Sequence, residues 1–377
     1  MKIIHVAESL ESSGGGMPAA IKSLMKLQQA LGYQVICAVT TRSASGNVFN
    51  DGNILSIGTG SLVGTLLRLG KLCSLILRRQ ADVVHIHGVW NIFYPLLCLL
   101  CKFSETKYFV STQGQVLSTI LQSDPFLKRL KKKVYYHLFA GLILRGASKI
   151  HVSGENERSE FSRNKKISKK IVMIPNIMDE IFFDSGSIRE SLKSCDNENS
   201  KFKDVLFVGR LDIRKGVLDL IDGFASSGLP KNWRLRIVGP NSAPSFLKLM
   251  SEKISAAQMT GRILIEQPVY GDSRVDLYLS CYVFCLPSYS EATGLVNIEA
   301  ALVGRPVITT PYTGLLEIKE HGGVLCNTGQ ESIGAALRDV ASWTDSEYFS
   351  RSERIQSWAK SKFSIEVISS RWQSFYS

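Results

Sequence analysis

CYVFCLPSYSEATGLVNIEAALVGRPVITT, Cys281 to Thr310, runs from an apolar segment through a Thr-Gly that opens a helix near Thr293 or Gly294 to a second apolar segment after Arg305. Strand, helix and strand in that order make a parallel unit, because two parallel neighbours need a crossover and a helix supplies it. Upstream the same alternation holds. DVLFVGR is a strand followed by a helix after Lys215, WRLRIVGP is a strand followed by a helix through Phe246 to Ala257, and RILIEQPV is a further strand. The N-terminal third repeats the pattern with KIIHVAES, a helix from Pro18 to Leu31, YQVICAVTT, a helix from Leu62 to Arg79, ADVVHIHG, another helix and KYFVSTQG. Between Met178 and Lys203 the sequence turns polar and aperiodic, which marks a linker. The expected fold is α/β: two doubly wound, Rossmann-like domains facing a cleft lined by the carboxyl ends of their strands.

Composition agrees with two globular domains. The chain has 377 residues, 45% of them hydrophobic and 21% charged, which excludes a disordered chain. MKIIHVAES reads as a first strand rather than a signal peptide, and runs such as YPLLCLLC and LFAGLIL fall short of the roughly 18 residues a membrane span needs. Neither export nor a transmembrane helix is expected. Eight cysteines at irregular spacing read as reduced core residues, and Cys98-x-x-Cys101 lacks the second pair or histidine that a zinc site requires.

The net charge of +12 is unevenly spread. Residues 125–154 carry Lys128, Arg129, Lys131, Lys132, Lys133, Arg145 and Lys149 and, before Gly154, no acid. Leu127, Leu130, Val134 and Leu138 recur there at helical spacing beside the basic stripe. This is the pattern of a helix lying on an anionic membrane surface; the alternative is a solvated basic face whose leucines pack on the core. No nucleic-acid motif accompanies the charge, so no nucleic-acid partner is expected.

Three elements carry chemistry. SSGGGMPAA follows the first strand and opens a helix, so Gly14, Gly15 and Gly16 suit close approach to a ligand, and suit a plain turn equally well. FVGRLDIRKG ends a strand with Gly209, Arg210 and Lys215; a guanidinium fork and a mobile ammonium together suit a diphosphate, whereas alone they are two surface cations. The amides of Thr293, Gly294 and Leu295 at the helix start suit phosphate oxygens. Glu291 and Glu299 would repel a phosphate, so they must accept hydrogen bonds from hydroxyls on either side of it, one on a sugar and one on a ribose. The ligand this predicts is a nucleotide diphosphate sugar.

FVGRLDIRKG, LPSYSEATGLVNIEAALVGRPVITT and the tail FSIEVISSRWQSFY resemble the donor domain and closing helix of retaining GT-B glycosyltransferases of family 4, the glycosyl transferases group 1. GGGMPAA, VVHIHGVW and YFVSTQGQV resemble the first domain of its bacterial surface-polysaccharide branch. The resemblance implies an acceptor-binding domain over 1–177, a donor-binding domain over 178–357, and a C-terminal helix, 358–377, crossing back to the first. It also implies that Arg210 and Lys215 neutralise the leaving diphosphate, that Glu291 holds the donor sugar, and that Glu299 holds the ribose. His87 and Gln113 become contacts to acceptor or sugar. No metal is expected, and the chain has no D-x-D. No cofactor is expected beyond the donor, a UDP-sugar slightly favoured.

Three positions depart from the family pattern: Gln113 replaces a His or Arg, Thr293 an aromatic residue, and Gln267 a glycine. The implied protein is a cytoplasmic enzyme, peripheral on the inner face of the bacterial plasma membrane. It adds a sugar to a polyprenyl-diphosphate-linked glycan during O-antigen, capsule or other surface-polysaccharide assembly. A nucleotide-sugar epimerase of the same fold, or an inactive nucleotide-sugar-binding scaffold, are the alternatives.

Overall fold

The computed structural model describes residues 1–10, 16–40, 54–56, 62–118, 126–162, 164–184, 202–241 and 243–377. They form two compact units, one of 1–177 with 368–377 and one of 178–367. The first unit holds strands β1 (Lys2–Ala7), β2 (Gln34–Val39), β3 (Ile54–Ser56), β4 (Val83–His87), β5 (Lys107–Ser111), β6 (Lys149–Val152) and β7 (Ile171–Met173) in the order β3-β2-β1-β4-β5-β6-β7. Every ladder in it is parallel. The second unit holds β8 (Lys203–Val208), β9 (Trp233–Val238), β10 (Ile263–Glu266), β11 (Val283–Leu286), β12 (Val307–Thr309) and β13 (Val324–Leu325), all parallel, in the order β10-β9-β8-β11-β12-β13. Both orders reverse once, between β1 and β4 and between β8 and β11. In doubly wound sheets the ligand crevice lies outside the carboxyl ends at that reversal.

The strands are apolar on both faces because helices cover both faces. Every residue of Val83–His87 and of Val283–Leu286 is buried. Phe207, Phe224 and Phe284 fill the second core, each side chain stabilising it by about 2 kcal/mol through lost apolar surface.

The second unit begins at Met178, where the sequence reading divides the chain, but Met178 and Phe182 are buried in its core, so the start of the stretch read as a linker belongs to that unit; the C-terminal boundary differs. The tail is two helices, Asp345–Phe363 and Ile365–Tyr376. Trp358, Ala359 and Phe363 belong to the second core, so the segment that returns to the first unit starts at Ile368 rather than at 358.

That returning helix presents Ile368, Trp372, Phe375 and Tyr376 to the first unit. The Phe375 ring lies 5.0 Å from Phe109 and the Trp372 ring 4.6 Å from His151. Lys149 Nζ donates to the carbonyls of Phe375, at 2.7 Å, and Ser374, at 3.3 Å. A helix end leaves such carbonyls without intrahelical partners and favours a cation beside them.

Candidate active site

In the second unit the turn after β8 is fixed by two glycines. A Cβ on Gly239 would lie 1.9 Å from the Gly209 carbonyl oxygen, so the loops after β8 and β9 can meet only without a side chain there. Gly216 has φ 69°, and a Cβ on it would lie 2.1 Å from the Pro287 carbonyl oxygen, which joins the loops after β8 and β11. Asp212 organises the turn between them. Its Oδ1 accepts from the Arg214 amide at 3.0 Å, and its Oδ2 accepts from Arg210 Nε at 2.7 Å. Burial alone would raise the Asp212 carboxyl, but the Arg210 hydrogen bond and the charges of Arg210, Arg214 and Lys215 hold it below its usual value.

Lys215 Nζ donates to Glu291 Oε1, which also accepts from Ser288 Oγ at 2.9 Å. Arg210 side-chain atoms are half exposed and those of Lys215 and Glu291 mostly covered. These three groups therefore stand together at the carboxyl ends of the adjacent strands β8 and β11, where the strand order reverses.

The helix after β11 spans Leu295–Leu302 with Gly294 at its cap. The Gly294 amide donates to the Thr313 carbonyl at 3.1 Å and the Leu295 amide to the Thr293 carbonyl at 2.9 Å. Two of the three amides assigned to phosphate are thus engaged within the loop in this structure, and a phosphate reaching them has to replace these bonds. Glu299 lies inside the helix and is held by Arg274, with Nη1 to Oε1 at 2.9 Å, and by the Tyr278 hydroxyl, 2.6 Å from Oε2. Burial raises its carboxyl above the usual value, against the lowering effects of Arg274 and Tyr278. A carboxylate offers about four lone-pair sites, so both oxygens retain capacity for a hydroxyl.

In the first unit Gly15 lies outside the described residues, and Gly16 opens the helix Gly16–Ala30. Gln113 takes φ 51°, an uncommon left-handed conformation for a side chain of that type. Buried Glu157 anchors its turn, accepting from the Thr112 hydroxyl at 2.6 Å, the Gly114 amide at 2.5 Å, and the Ser153 amide and hydroxyl, each at 2.8 Å. Sequence reasoning passed over Glu157, Asp212, Arg274 and Tyr278. Asp212 sits within the quoted FVGRLDIRKG and Glu157 two residues after Glu155, where an acid among polar neighbours gives no signal of burial.

His87, at the end of β4, is buried beside His5 and His85, whose ring nitrogens lie within 4.8 Å of one another. His5 Nε2 bonds Gln28 Oε1 at 2.7 Å, and His5 Nδ1 bonds His87 Nε2 at 2.8 Å. His85 bonds Ser111 Oγ at 2.7 Å and the Tyr376 hydroxyl. With both nitrogens of His5 and His85 so used, the trio fits a hydrogen-bonded cluster rather than a metal site. Cys98 and Cys101 are buried and their thiols are pushed up to about 12, which makes them core residues and not nucleophiles.

The basic segment forms the helix Phe126–Tyr135, none of whose residues is buried, continued through a π-helical turn, Tyr136–Ala140, into Gly141–Gly146. Leu127, Leu130, Val134 and Leu138 are 47–69% exposed, so this stripe does not pack on the core. Tyr135 donates to the Asn91 carbonyl at 2.6 Å, and Lys132 Nζ lies 5.5 Å from the Trp90 ring. Next to that junction Ile92, Leu96, Leu99 and Phe103 are also exposed. Among the described residues no helix is long and apolar enough to cross a membrane.

Two doubly wound units of parallel strands are a GT-B architecture. Residues 15–177 match the family described as "Glycosyl transferase 4-like domain", and residues 189–361 match "Glycosyl transferases group 1". The chain is 26% identical over 370 residues to an uncharacterized 41.2 kDa protein in the cps region of Klebsiella pneumoniae, covering 96% of each. It is 23% identical over 351 residues to the GDP-mannose:cellobiosyl-diphosphopolyprenol alpha-mannosyltransferase of Xanthomonas campestris, covering 90% of this chain and 86% of that one. Anabaena Alr3699/HepE, solved in complex with UDP, superposes with a TM-score of 0.79 at 18% identity over 99% of each chain. The chain belongs to the GT-B glycosyltransferases of family 4.

Proposed function

We propose that the enzyme moves a sugar, with retention and without a metal, from a nucleotide diphosphate sugar to a polyprenyl-diphosphate-linked glycan in bacterial surface-polysaccharide assembly. The observation that carries this is the Lys215–Glu291 pair beside Arg210 at the β8–β11 reversal. Lys215 and Arg210 place two positive charges where a departing diphosphate needs them. Glu291, held by Lys215 and Ser288, accepts a sugar hydroxyl on its carboxylate. Glu299 takes a ribose hydroxyl while Arg274 and Tyr278 keep its carboxylate in place.

Departure of the nucleoside diphosphate builds oxocarbenium character on the sugar. The acceptor hydroxyl attacks the same face, and its proton passes to a donor phosphate oxygen. Catalysis rests on positioning and on stabilising the leaving charge. Gly16 and Gln113 are the substrate contacts proposed within the first unit.

The acceptor class is favoured by two relatives, one a protein in the cps region and the other a mannosyltransferase acting on cellobiosyl-diphosphopolyprenol. It is favoured also by the exposed basic and apolar face of Phe126–Tyr135, which suits peripheral attachment to an anionic cytoplasmic leaflet. The test is calorimetry of UDP-, GDP-, ADP- and dTDP-sugars against the protein, with Lys215→Ala as control. One binder, lost in the variant, is the expected outcome; no binder among the four classes would overturn the donor assignment.

A further inference from the structure

The helix Tyr94–Phe103, YPLLCLLCKF, is apolar on its outer side as well as its inner one, Lys102 aside. Tyr94, Leu97, Cys98 and Cys101 face the core and are buried. On the other side Leu96 and Leu99 are 53% exposed and Phe103 81%, with Ile92 and Phe93 exposed just ahead of them. A surface helix ordinarily turns polar groups to water, and a contiguous apolar face left open marks a surface that something else covers. Beside this helix, the helix Leu62–Leu77 forms the other wall of a cleft lined by Leu69, Leu72, Cys73, Phe93, Leu96 and Leu100. Val6 of β1 and Thr40, just past β2, place the cleft toward the carboxyl end of the sheet, the end at which doubly wound domains bind ligands. Two hydroxyls reach its wall, and both are engaged: Thr40 Oγ1 donates to the Ala7 carbonyl at 3.3 Å and accepts from Asn91 Nδ2 at 2.8 Å, and Tyr94 donates to the His87 carbonyl at 3.0 Å. The cleft thus suits hydrocarbon, and it leaves room for a group about the size of one methyl.

The rim of the cleft is joined to the basic helix. Asn91 Oδ1 accepts from the amide of Phe93, a lining residue, at 3.0 Å, while the Asn91 carbonyl accepts from Tyr135 at 2.6 Å and Lys132 Nζ lies 5.5 Å from the ring of Trp90. Apolar surface and positive charge are therefore adjacent, the complement of an amphiphile with an anionic head. We propose that the cleft between Leu62–Leu77 and Tyr94–Phe103 holds the first isoprene units of the acceptor's polyprenyl chain, with the diphosphate on the basic helix Phe126–Tyr135. Room for a methyl suits the branch that every isoprene unit carries and a straight acyl chain lacks. Leu99 and Phe103 continue the apolar path along the outside of the helix. The lipid as substrate rests on the transferase reading; the fit of the cleft to a branched anionic amphiphile does not.

Cys73 reports on the cleft, because it lines it and is only partly buried, whereas the other cysteines among the described residues are buried. In a Cys195→Ser background, alkylation of Cys73 by N-ethylmaleimide is timed by mass spectrometry of its peptide, with and without farnesyl diphosphate below its micelle concentration. At about ten times its Kd the probe is expected to slow the reaction about tenfold, and inorganic diphosphate and UDP-glucose are expected to leave it unchanged. Leu96→Glu, at an exposed position on the cleft, should abolish the protection, and Leu99→Glu, on the same helix but off the cleft, should keep it. Calorimetry of farnesyl diphosphate should show binding weakened about tenfold or more in Leu96→Glu, and it decides the matter if Cys73 does not react. No calorimetric binding, or binding unchanged in Leu96→Glu, overturns the proposal. Equal protection by dodecyl diphosphate, which has the same backbone length without the branches, overturns the isoprenoid occupant in favour of an acyl chain. Lys132→Glu should weaken farnesyl diphosphate as well, and unchanged affinity there overturns the place given to the diphosphate. If farnesyl diphosphate protects Cys73 while no nucleotide sugar binds, the transferase reading fails and the cleft stands; a nucleotide sugar bound without any binding of farnesyl diphosphate gives the reverse.

Discussion

Lys215 and Glu291, 76 positions apart, form an ion pair that ties the loop after β8 to the loop after β11. Both side chains are about four-fifths covered, so the pair is held in a partly dry setting where the loss of one charge leaves the other exposed to the full cost of burial. A substrate phosphate competes with Glu291 for Lys215. The resting pair is therefore a preset position for the ammonium, one it leaves only toward stronger negative charge.

Lys215→Ala is expected to lower kcat by about 100-fold or more, the cost typical of removing one preorganised group that stabilises leaving charge. Turnover of the nucleotide sugar selected by calorimetry measures it; a change below about threefold contradicts the role.

Gly216→Ala forces a side chain into a left-handed φ and against Pro287. The expected loss in stability is about 2 kcal/mol or more, read as a lower urea midpoint at unchanged slope. Gly32, also left-handed but with open space around it, provides the comparison: Gly32→Ala should cost less, because it carries the backbone strain without the clash.

Glu299→Gln keeps a partner for Tyr278 and breaks the charge pair with Arg274. It should raise the donor Kd about tenfold with kcat nearly kept, whereas Glu291→Gln should lower kcat more than affinity. Equal small effects would remove the assignment of ribose and sugar to the two carboxylates.

Stability should fall on acidification below about pH 6.5. The unfolded chain takes up protons on its histidines there, while folded His5 is lowered to about 4 and His85, His87 and His151 are lowered too. A depressed folded value means the contribution is complete above the unfolded value and lost as pH falls toward the folded one; for His5 alone it amounts to about 3 kcal/mol. Urea unfolding at about pH 7.5 and about pH 5 reads it, and a flat profile would show that these rings are not buried neutral.

Replacing Lys131, Lys132 and Lys133 with Glu should release the protein from anionic vesicles, lowering the partition coefficient by about 100-fold or more at roughly 1 kcal/mol per basic residue. Sedimentation with phosphatidylserine vesicles decides it, and unchanged binding would leave the exposed leucines without that role.

The parallel sheets were legible because each buried strand is a short apolar run between helical stretches, as in ADVVHIHG and DVLFVGR. β13 has only two residues, too few to carry a pattern. Lys215 and Glu291 were legible as members of one site because each ends an apolar run. Their direct pairing was not, since no local spacing relates residues on different strands. The buried histidine cluster was hidden for the same reason: His5, His85, Ser111, His151 and Tyr376 come from four strands and the last helix. Tyr376 stood only within the tail that resembles a closing helix. Conversely, Met178 and Phe182 looked like linker because the polar neighbours around them mask a burial that only the folded second unit creates.

Because the first unit is built from 1–177 and 368–377, its sheet cannot be covered by that last helix until all of Met178–Val367 has left the ribosome. Chains generally fold domain by domain as they emerge, but here the second unit has its full complement of residues before the first does. During synthesis the row of His85, Phe109 and His151 stays open to water and to other chains. A nascent chain stalled short of Ile368 would be a substrate for chaperones rather than a partly working enzyme.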